Sequence, residues 1–321
     1  MGGRPKILLT RLFPDDVLAR AKRDYDAILN PADVAWQGND LIAQAEGMDG
    51  LMISSSNKFT PQVIDGLPDS VKILSTFSVG YEHVDLDAAQ ARGIIVTNTP
   101  DVLTEATADT AMMLLLNAAR RAREALEMVS TGKWIGWKPT QLLGVQPSGR
   151  RLAILGMGRI GRAVAARARA FGMEIHYHNR NRLMPELELG ATYHRTAEDL
   201  LRHADFLSIN CEQTPETTKL INADRIELMP ENAIIVNTAR GGIIDDEALI
   251  AALKSGRVFA AGLDVYDGEP NLNAGYMDLN NAFLTPHFGS ATVDTRNAMG
   301  FRALDNLDAF FRGNEPGDRL V

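Results

Sequence analysis

The chain has 321 residues, enough for two domains at roughly 150 residues each. Its 45% hydrophobic and 23% charged content excludes intrinsic disorder, collagen and low-complexity classes. Thirty-three Lys and Arg against 41 Asp and Glu leave a net charge of −8, which argues against a nucleic-acid binder or a polybasic membrane anchor.

Short apolar runs alternate with longer amphipathic ones. Lys6–Leu9 reads as a strand, and 15–24 as a helix with Val17 and Leu18 inward. Runs at 25–29, 50–53, 71–75 and 93–96 read as further strands, with helix-like pieces at 40–46 and 86–92. A single helical pattern then spans 104–131, with Asp101 or Thr104 to cap it and Gly132 just past its end. The loop 132–139 is rich in Gly, Trp and Pro. Strands resume at 151–155, 174–178, 206–209, 233–236, 258–263 and 282–284, with a helix at 159–171. The last segment, 291–312, repeats Met299, Ala303, Leu307 and Phe310 at helical spacing. This rhythm predicts an α/β protein of two doubly wound parallel-sheet domains. The boundary falls near residue 100, and the final helix returns to the first domain.

Cys211 is the only cysteine, so no intramolecular disulfide and no CxxC zinc site is expected, and a reducing cytoplasm suits the chain. It follows an apolar run and reads as a buried strand-end thiol. The N-terminal MGGRPKILLT has no apolar core of signal-peptide length, and Lys6 stands where a myristoylation signal needs Ser or Thr. The longest apolar stretch, 111–116, is far short of the ~18 residues of a membrane span. No membrane partner, nucleic-acid partner or metal is expected.

Gly156-Met157-Gly158-Arg159-Ile160-Gly161 is a GxGxxG directly after a strand and opening a helix. That context favours a dinucleotide loop, with pyrophosphate on the helix N-terminus, over an S-adenosylmethionine site of a methyltransferase or a Gly-rich turn without a ligand. An NAD site places a carboxylate at the end of the next strand to hold the ribose. Here that end is His178-Asn179-Arg180-Asn181-Arg182. Guanidinium groups match a phosphate, so NADP is the expected cofactor, with NAD possible.

Three further segments follow predicted strands: Asn237-Thr238-Ala239-Arg240-Gly241-Gly242, Asp264 to Pro270, and Thr285-Pro286-His287-Phe288-Gly289-Ser290. One Arg, one Glu and one His would thus meet where strand ends line a ligand crevice. Arg240 can bind a carboxylate and polarise a carbonyl. His287 can donate a proton to a carbonyl oxygen, and Glu269 would keep the imidazole charged and oriented.

With Val79-Gly80-Tyr81 through Asp85, Val96 to Pro100, Gly262-Leu263-Asp264-Val265, Glu269-Pro270 and Pro286-His287, the chain resembles the D-isomer-specific 2-hydroxyacid dehydrogenase family, in its glyoxylate/hydroxypyruvate reductase branch. The resemblance implies a flavodoxin-like substrate domain over 1–101 and 290–321. It implies an NAD(P)-binding Rossmann domain over 102–289, with the active site in the cleft between them. It also implies a homodimer and NADPH-dependent reduction of small 2-keto acids to D-2-hydroxy acids, with Arg240, Glu269 and His287 catalytic. Cofactor contacts would come from Thr104, Gly156, Gly158, Arg159, Ile160 and Gly161, then from Asn179, Arg180, Asn181, Cys211 and Thr217. Thr238, Ala239, Arg240, Asp264, His287 and Gly289 would complete them. Substrate would meet Asn57, Val79, Gly80, Arg240 and His287, and Trp137 matches a tryptophan that reaches the partner subunit's site. Lys58 lies in the same loop as Asn57. The chain departs from the family at Glu212-Gln213, beside the expected ribose site. A reductase of another 2-keto acid, or a cofactor-sensing corepressor-like protein, are the alternatives; the second would carry extra interaction segments or long tails.

Overall fold

A computed structural model describes residues 3–321. Five short apolar runs form the first sheet: β1 (Lys6–Leu9), β2 (Asp26–Ile28), β3 (Gly50–Ile53), β4 (Ile73–Thr76) and β5 (Ile95–Thr97). All pair in parallel, in the order β2-β1-β3-β4-β5. β3 and β4 are buried at every residue, as strands covered on both faces must be. Leu8, Leu51, Leu74 and Val96 face the helices Gly38–Gln44, Pro61–Gly66 and Leu86–Ala91. Ile7, Leu9, Met52 and Ile73 face the helices Asp15–Asp24 and Val293–Phe311. The final helix therefore packs on the first sheet, and the chain divides into Met1–Leu103 with Ser290–Val321, and Thr104–Gly289.

The second unit holds β6 (Arg151–Leu155), β7 (Glu174–His178), β8 (Thr192–Tyr193), β9 (Phe206–Ile209), β10 (Ala233–Asn237), β11 (Val258–Leu263) and β12 (Ala282–Leu284). Their order is β12-β11-β10-β9-β6-β7-β8, all parallel. Alternate residues again serve opposite faces. Ala153, Leu207, Ile235 and Ala261 meet one helix layer, and Leu152, Phe206, Ile234 and Ala260 the other. Strand order reverses between β6 and β9, and such a switch point opens a crevice at the strands' carboxyl ends. Both sheets are thus doubly wound, as the strand–helix rhythm requires. No described helix is long and apolar enough to cross a membrane.

One expectation fails. The pattern over 104–131 is two helices, Thr104–Ala119 and Ala122–Ser130, broken where Arg121 takes the left-handed conformation at φ 55°. No Gly or Pro marks the break. Its cause is tertiary: the Ala119 carbonyl accepts from Val145 N–H at 2.9 Å, a contact remote in sequence, and Gly144 lies against the same carbonyl. A Cβ on Gly144 would stand 2.2 Å from that oxygen. Gly144→Ala should therefore destabilise the protein by about 1–3 kcal/mol, read as a lower urea midpoint at unchanged slope.

Candidate active site

The three glycines after β6 have different neighbours. Gly156 has φ +94°, and a Cβ there would lie 2.5 Å from Cys211 N. A Cβ on Gly161 would lie 2.3 Å from the Gly156 carbonyl oxygen. Both are fixed by the chain's own packing, Gly156 across the switch point and Gly161 within its own loop. A Cβ on Gly158 would meet nothing within 4 Å. The middle glycine thus keeps open space over the loop. It is also the N-cap of helix Arg159–Ala170 and has no side-chain capping bond, so the helix N-terminus, with its positive dipole end, is chemistry that suits an anion.

Nearby, the Thr238 hydroxyl and the Asn210 carbonyl oxygen are buried without a hydrogen-bond partner. Such orphans are costly in a closed interior, and they suit a polar ligand. Open space above Gly158 and unspent polar atoms at two neighbouring strand ends fit a dinucleotide. Asn210 carries no motif, and sequence reading passed it over. Thr217 Oγ1 accepts from Thr214 N and donates to Glu212 O, both at 2.7 Å, shaping the loop after β9. Thr104 opens the helix Thr104–Ala119. Burial pushes the Cys211 thiol up to about 11, so it is an inert packing group.

At the end of β7, Asn179 Oδ1 accepts from Met157 N–H at 2.6 Å, and His178 O from Gly156 N–H at 3.0 Å. The turn after β7 and the glycine loop are thereby tied together. Arg180 and Asn181 are exposed. Arg182, the secondary phosphate candidate behind Arg180, is engaged within the chain. Its guanidinium binds Glu188 at 2.7 and 3.1 Å, and Glu188 also accepts from Tyr177 Oη at 2.5 Å. The Arg182 hydrogen bond, then that of Tyr177, holds Glu188 well below the usual carboxylate range.

The catalytic candidates sit on the ends of β10, β11 and β12. Asn237, wholly buried, accepts from Ala239 N–H and donates to Arg240 O, both at 2.9 Å. Gly241 then presses on the next loop: its Cβ would fall 1.8 Å from Tyr266 C. Asp264, 1% exposed, accepts from Thr285 Oγ1 at 2.7 Å, Phe288 N at 2.9 Å and Gly289 N at 2.8 Å. The Tyr266 hydroxyl lies 2.9 Å from the carbonyls of Leu263 and Thr285 and accepts from Thr285 N–H at 3.0 Å. Between these anchors His287, at φ 50°, places Nδ1 2.7 Å from Glu269 Oε2, while Glu269 Oε1 accepts from Tyr266 N–H at 2.8 Å. Burial pushes the Glu269 carboxyl up, but His287, the Tyr266 amide and the Arg240 charge outweigh it, and it lies below its ordinary value. Asp264 was expected at the cofactor; its carboxylate is engaged in holding the His287 turn. Asn237 and Tyr266 are positioning residues that sequence reading quoted without assigning a task.

In the first unit, Ser78 O, Val79 O and Gly80 O accept from Thr99 N–H, Asn98 Nδ2 and Ser78 Oγ at 2.9, 2.8 and 2.6 Å. With its carbonyls so engaged, the turn offers its N–H side, chemistry that suits a carboxylate. Asn57 does not fit the expected substrate role: it is wholly buried, and its amide meets Thr10 Oγ1 at 2.7 Å and Trp36 O at 3.2 Å. Lys58 beside it is exposed. Trp137 is 80% exposed in the loop after Ala122–Ser130, near exposed Trp134 and Ile135.

Residues 112–289 match the family model for the NAD-binding domain of D-isomer-specific 2-hydroxyacid dehydrogenases. The chain is 44% identical to a glycerate dehydrogenase of Hyphomicrobium methylovorum, over 97% of each chain. It is 42% identical to a glyoxylate reductase of Thermococcus kodakarensis, over 98% of this chain and 95% of the other. The solved NADPH-dependent glyoxylate/hydroxypyruvate reductase of Sinorhizobium meliloti, in complex with NADP and malonate, is similar at TM-score 0.89 and 36% identity, covering 99% of this chain and 97% of that one.

The glycine loop yields a paired test. Gly158→Ala should leave the melting temperature nearly unchanged and weaken dinucleotide binding. Gly161→Ala should lower stability itself by about 1–3 kcal/mol. Thermal melts with and without dinucleotide separate the two, and equal loss of stability in both would refute the assignment of Gly158 to a ligand.

Proposed function

The chain belongs to the D-isomer-specific 2-hydroxyacid dehydrogenase family, and from that premise we propose that it reduces small 2-keto acids, glyoxylate and hydroxypyruvate first, to D-2-hydroxy acids with NADPH. The observation that carries the chemistry is the His287–Glu269 pair, 2.7 Å apart, on strand ends adjoining that of Arg240. Glycerate is the reduction product of hydroxypyruvate, so the names of the two kinds of relative describe compatible chemistry in opposite directions.

When bound, the nicotinamide supplies the hydride to the keto carbon. The residues of the chain do the rest. Arg240 binds the substrate carboxylate and polarises the carbonyl, which develops negative charge as the carbon is reduced. Glu269 occupies His287 Nδ1, so Nε2 is the nitrogen that gives its proton to the carbonyl oxygen. Glu269, tied at its other oxygen to the Tyr266 amide, keeps the ring in that orientation. Thr238 and Asn210 offer their unspent atoms to the cofactor, and the helix N-terminus at Gly158 its pyrophosphate site.

NADPH rather than NADH is favoured by the absence of a carboxylate at 178–182 and by exposed Arg180. The exposed apolar residues Leu126, Val129, Trp134, Ile135, Trp137 and Leu143 support a homodimer, since monomers rarely expose such a cluster. The single cysteine, largely buried, suits a cytoplasmic setting.

His287→Gln should lower kcat by about 10²–10⁴-fold while NADPH still binds by fluorescence titration; near-normal kcat would remove His287 as proton donor. Across a panel of 2-keto acids, kcat/KM with NADPH should exceed that with NADH at least about tenfold, the worth of one charge-assisted hydrogen bond. Arg180→Gln should abolish the preference, whereas Arg182→Met should lower stability and leave the preference standing. Asn179→Asp added to Arg180→Gln should favour NADH, because an aspartate retains the Met157 contact and supplies a ribose acceptor. Equal use of both cofactors by the unaltered protein would defeat the Arg180 argument.

A further inference from the structure

Three imidazoles meet at the edge of the second sheet, and the proposed reaction uses none of them. His176 lies in the middle of β7 and is 9% exposed. His194 follows β8, and His203 follows the helix Ala197–Leu201; both are half-buried. His176 Nδ1 and His194 Nε2 are 2.8 Å apart. The ring centroids of the three lie 4.6 to 5.2 Å from one another, and their ligand nitrogens fall within 4.8 Å. We propose that His176, His194 and His203 form a binding site for a transition-metal cation of the Zn²⁺ class.

The neighbouring bonds prepare the rings for it. His203 Nδ1 is 2.9 Å from Asp199 O. A carbonyl can only accept, so the proton of the neutral ring sits on Nδ1 and Nε2 keeps its lone pair. His178 Nδ1 donates in the same way to His194 O at 2.9 Å and fixes the backbone that carries His194. Glu174 Oε2 stands 4.0 Å from His176 Nε2, beyond hydrogen-bond distance, and adds a negative charge beside the cluster. Ligands about 2.0–2.1 Å from Zn²⁺ stand ~3.4 Å apart, so the His176–His194 pair, at 2.8 Å, opens by roughly half an ångström and the third ring adjusts about χ1 and χ2. Three imidazoles select Zn²⁺, Co²⁺, Ni²⁺ or Cu²⁺ over Mg²⁺ and Ca²⁺, which prefer oxygen. With three protein ligands the metal keeps an open position for water. The site braces β7 to the segment after β8, immediately below the Asn179–Arg180 turn that selects the cofactor.

The test is calorimetric titration of Zn²⁺ into the full chain, free of any histidine tag and stripped with a chelator. One Zn²⁺ per chain is expected, with Mg²⁺ giving no heat. His194→Gln and His203→Gln should each weaken Zn²⁺ at least about tenfold, with metal-free melts confirming that they fold. His287→Gln should retain the binding, which separates this cluster from the catalytic imidazole. Zn²⁺ should also raise the melting temperature of the unaltered chain, as a ligand of the native state does, and not that of the His194 variant. Absence of saturable Zn²⁺ binding by the unaltered chain, or binding unchanged in both variants, would overturn the site.

Discussion

A buried carboxylate organises the catalytic end of the second sheet. Asp264 is almost fully removed from water, and a charge there is tolerable only if its oxygens are satisfied. They are satisfied by the hydroxyl of Thr285 and the amides of Phe288 and Gly289, that is, by the turn that carries His287. The arrangement fixes a residue whose φ of 50° is uphill for a side chain with a Cβ, by an amount of order 1–3 kcal/mol. Strain of this kind persists only where neighbours over-determine the backbone. The imidazole is accordingly aimed by the fold before any ligand arrives, the arrangement that proton transfer requires.

The same logic separates the two arginines after β7. Both suit a phosphate by type, and the sequence favours Arg180 only by its place nearer the strand end. Glu188 does so in the structure: it is buried, accepts from Tyr177, and takes the Arg182 guanidinium in two bonds. Withdrawing Arg182 would leave a buried carboxylate short of its partner, a costly exchange for one phosphate contact. Arg180 is exposed, and its charge helps hold the Glu216 carboxyl below its ordinary value.

Much of this was legible from residue types. Parallel strands showed as short apolar runs, and the glycine loop and the three strand-end segments showed as motifs because each needs particular residues at fixed spacing. Contacts made across the chain were not legible. The helix break at Arg121 depends on Val145 reaching Ala119, which no local propensity encodes. Asn57 reads as a polar loop residue, yet it is spent on Thr10 and Trp36 inside its own unit. Asn210 and Tyr266 gain importance only from what surrounds them. The three clustered histidines stand 18 and 9 residues apart in the chain, as their numbers show, a spacing that matches no metal motif; the sheet edge brings them together.

The electrostatics of the catalytic segments follow from how each acid is occupied. Two carboxylates near a site for an anionic substrate would repel it if their oxygens faced it. Asp264 turns both oxygens to the amides and hydroxyl of its own turn. Glu269 gives one oxygen to the Tyr266 amide and the other to His287. Each acid thus gives its bonds to its own turn or to His287, and in the proposed reading the Arg240 guanidinium and His287 Nε2 are the groups that meet a 2-keto acid. In a partly desolvated site a donor is worth more than in water. An arrangement of acids that orient and bases that face the ligand selects for an electron-rich oxygen beside a carboxylate, which is the common feature of every 2-keto acid. Discrimination among such acids must then come from the shape around the third carbon, where these charges have no reach.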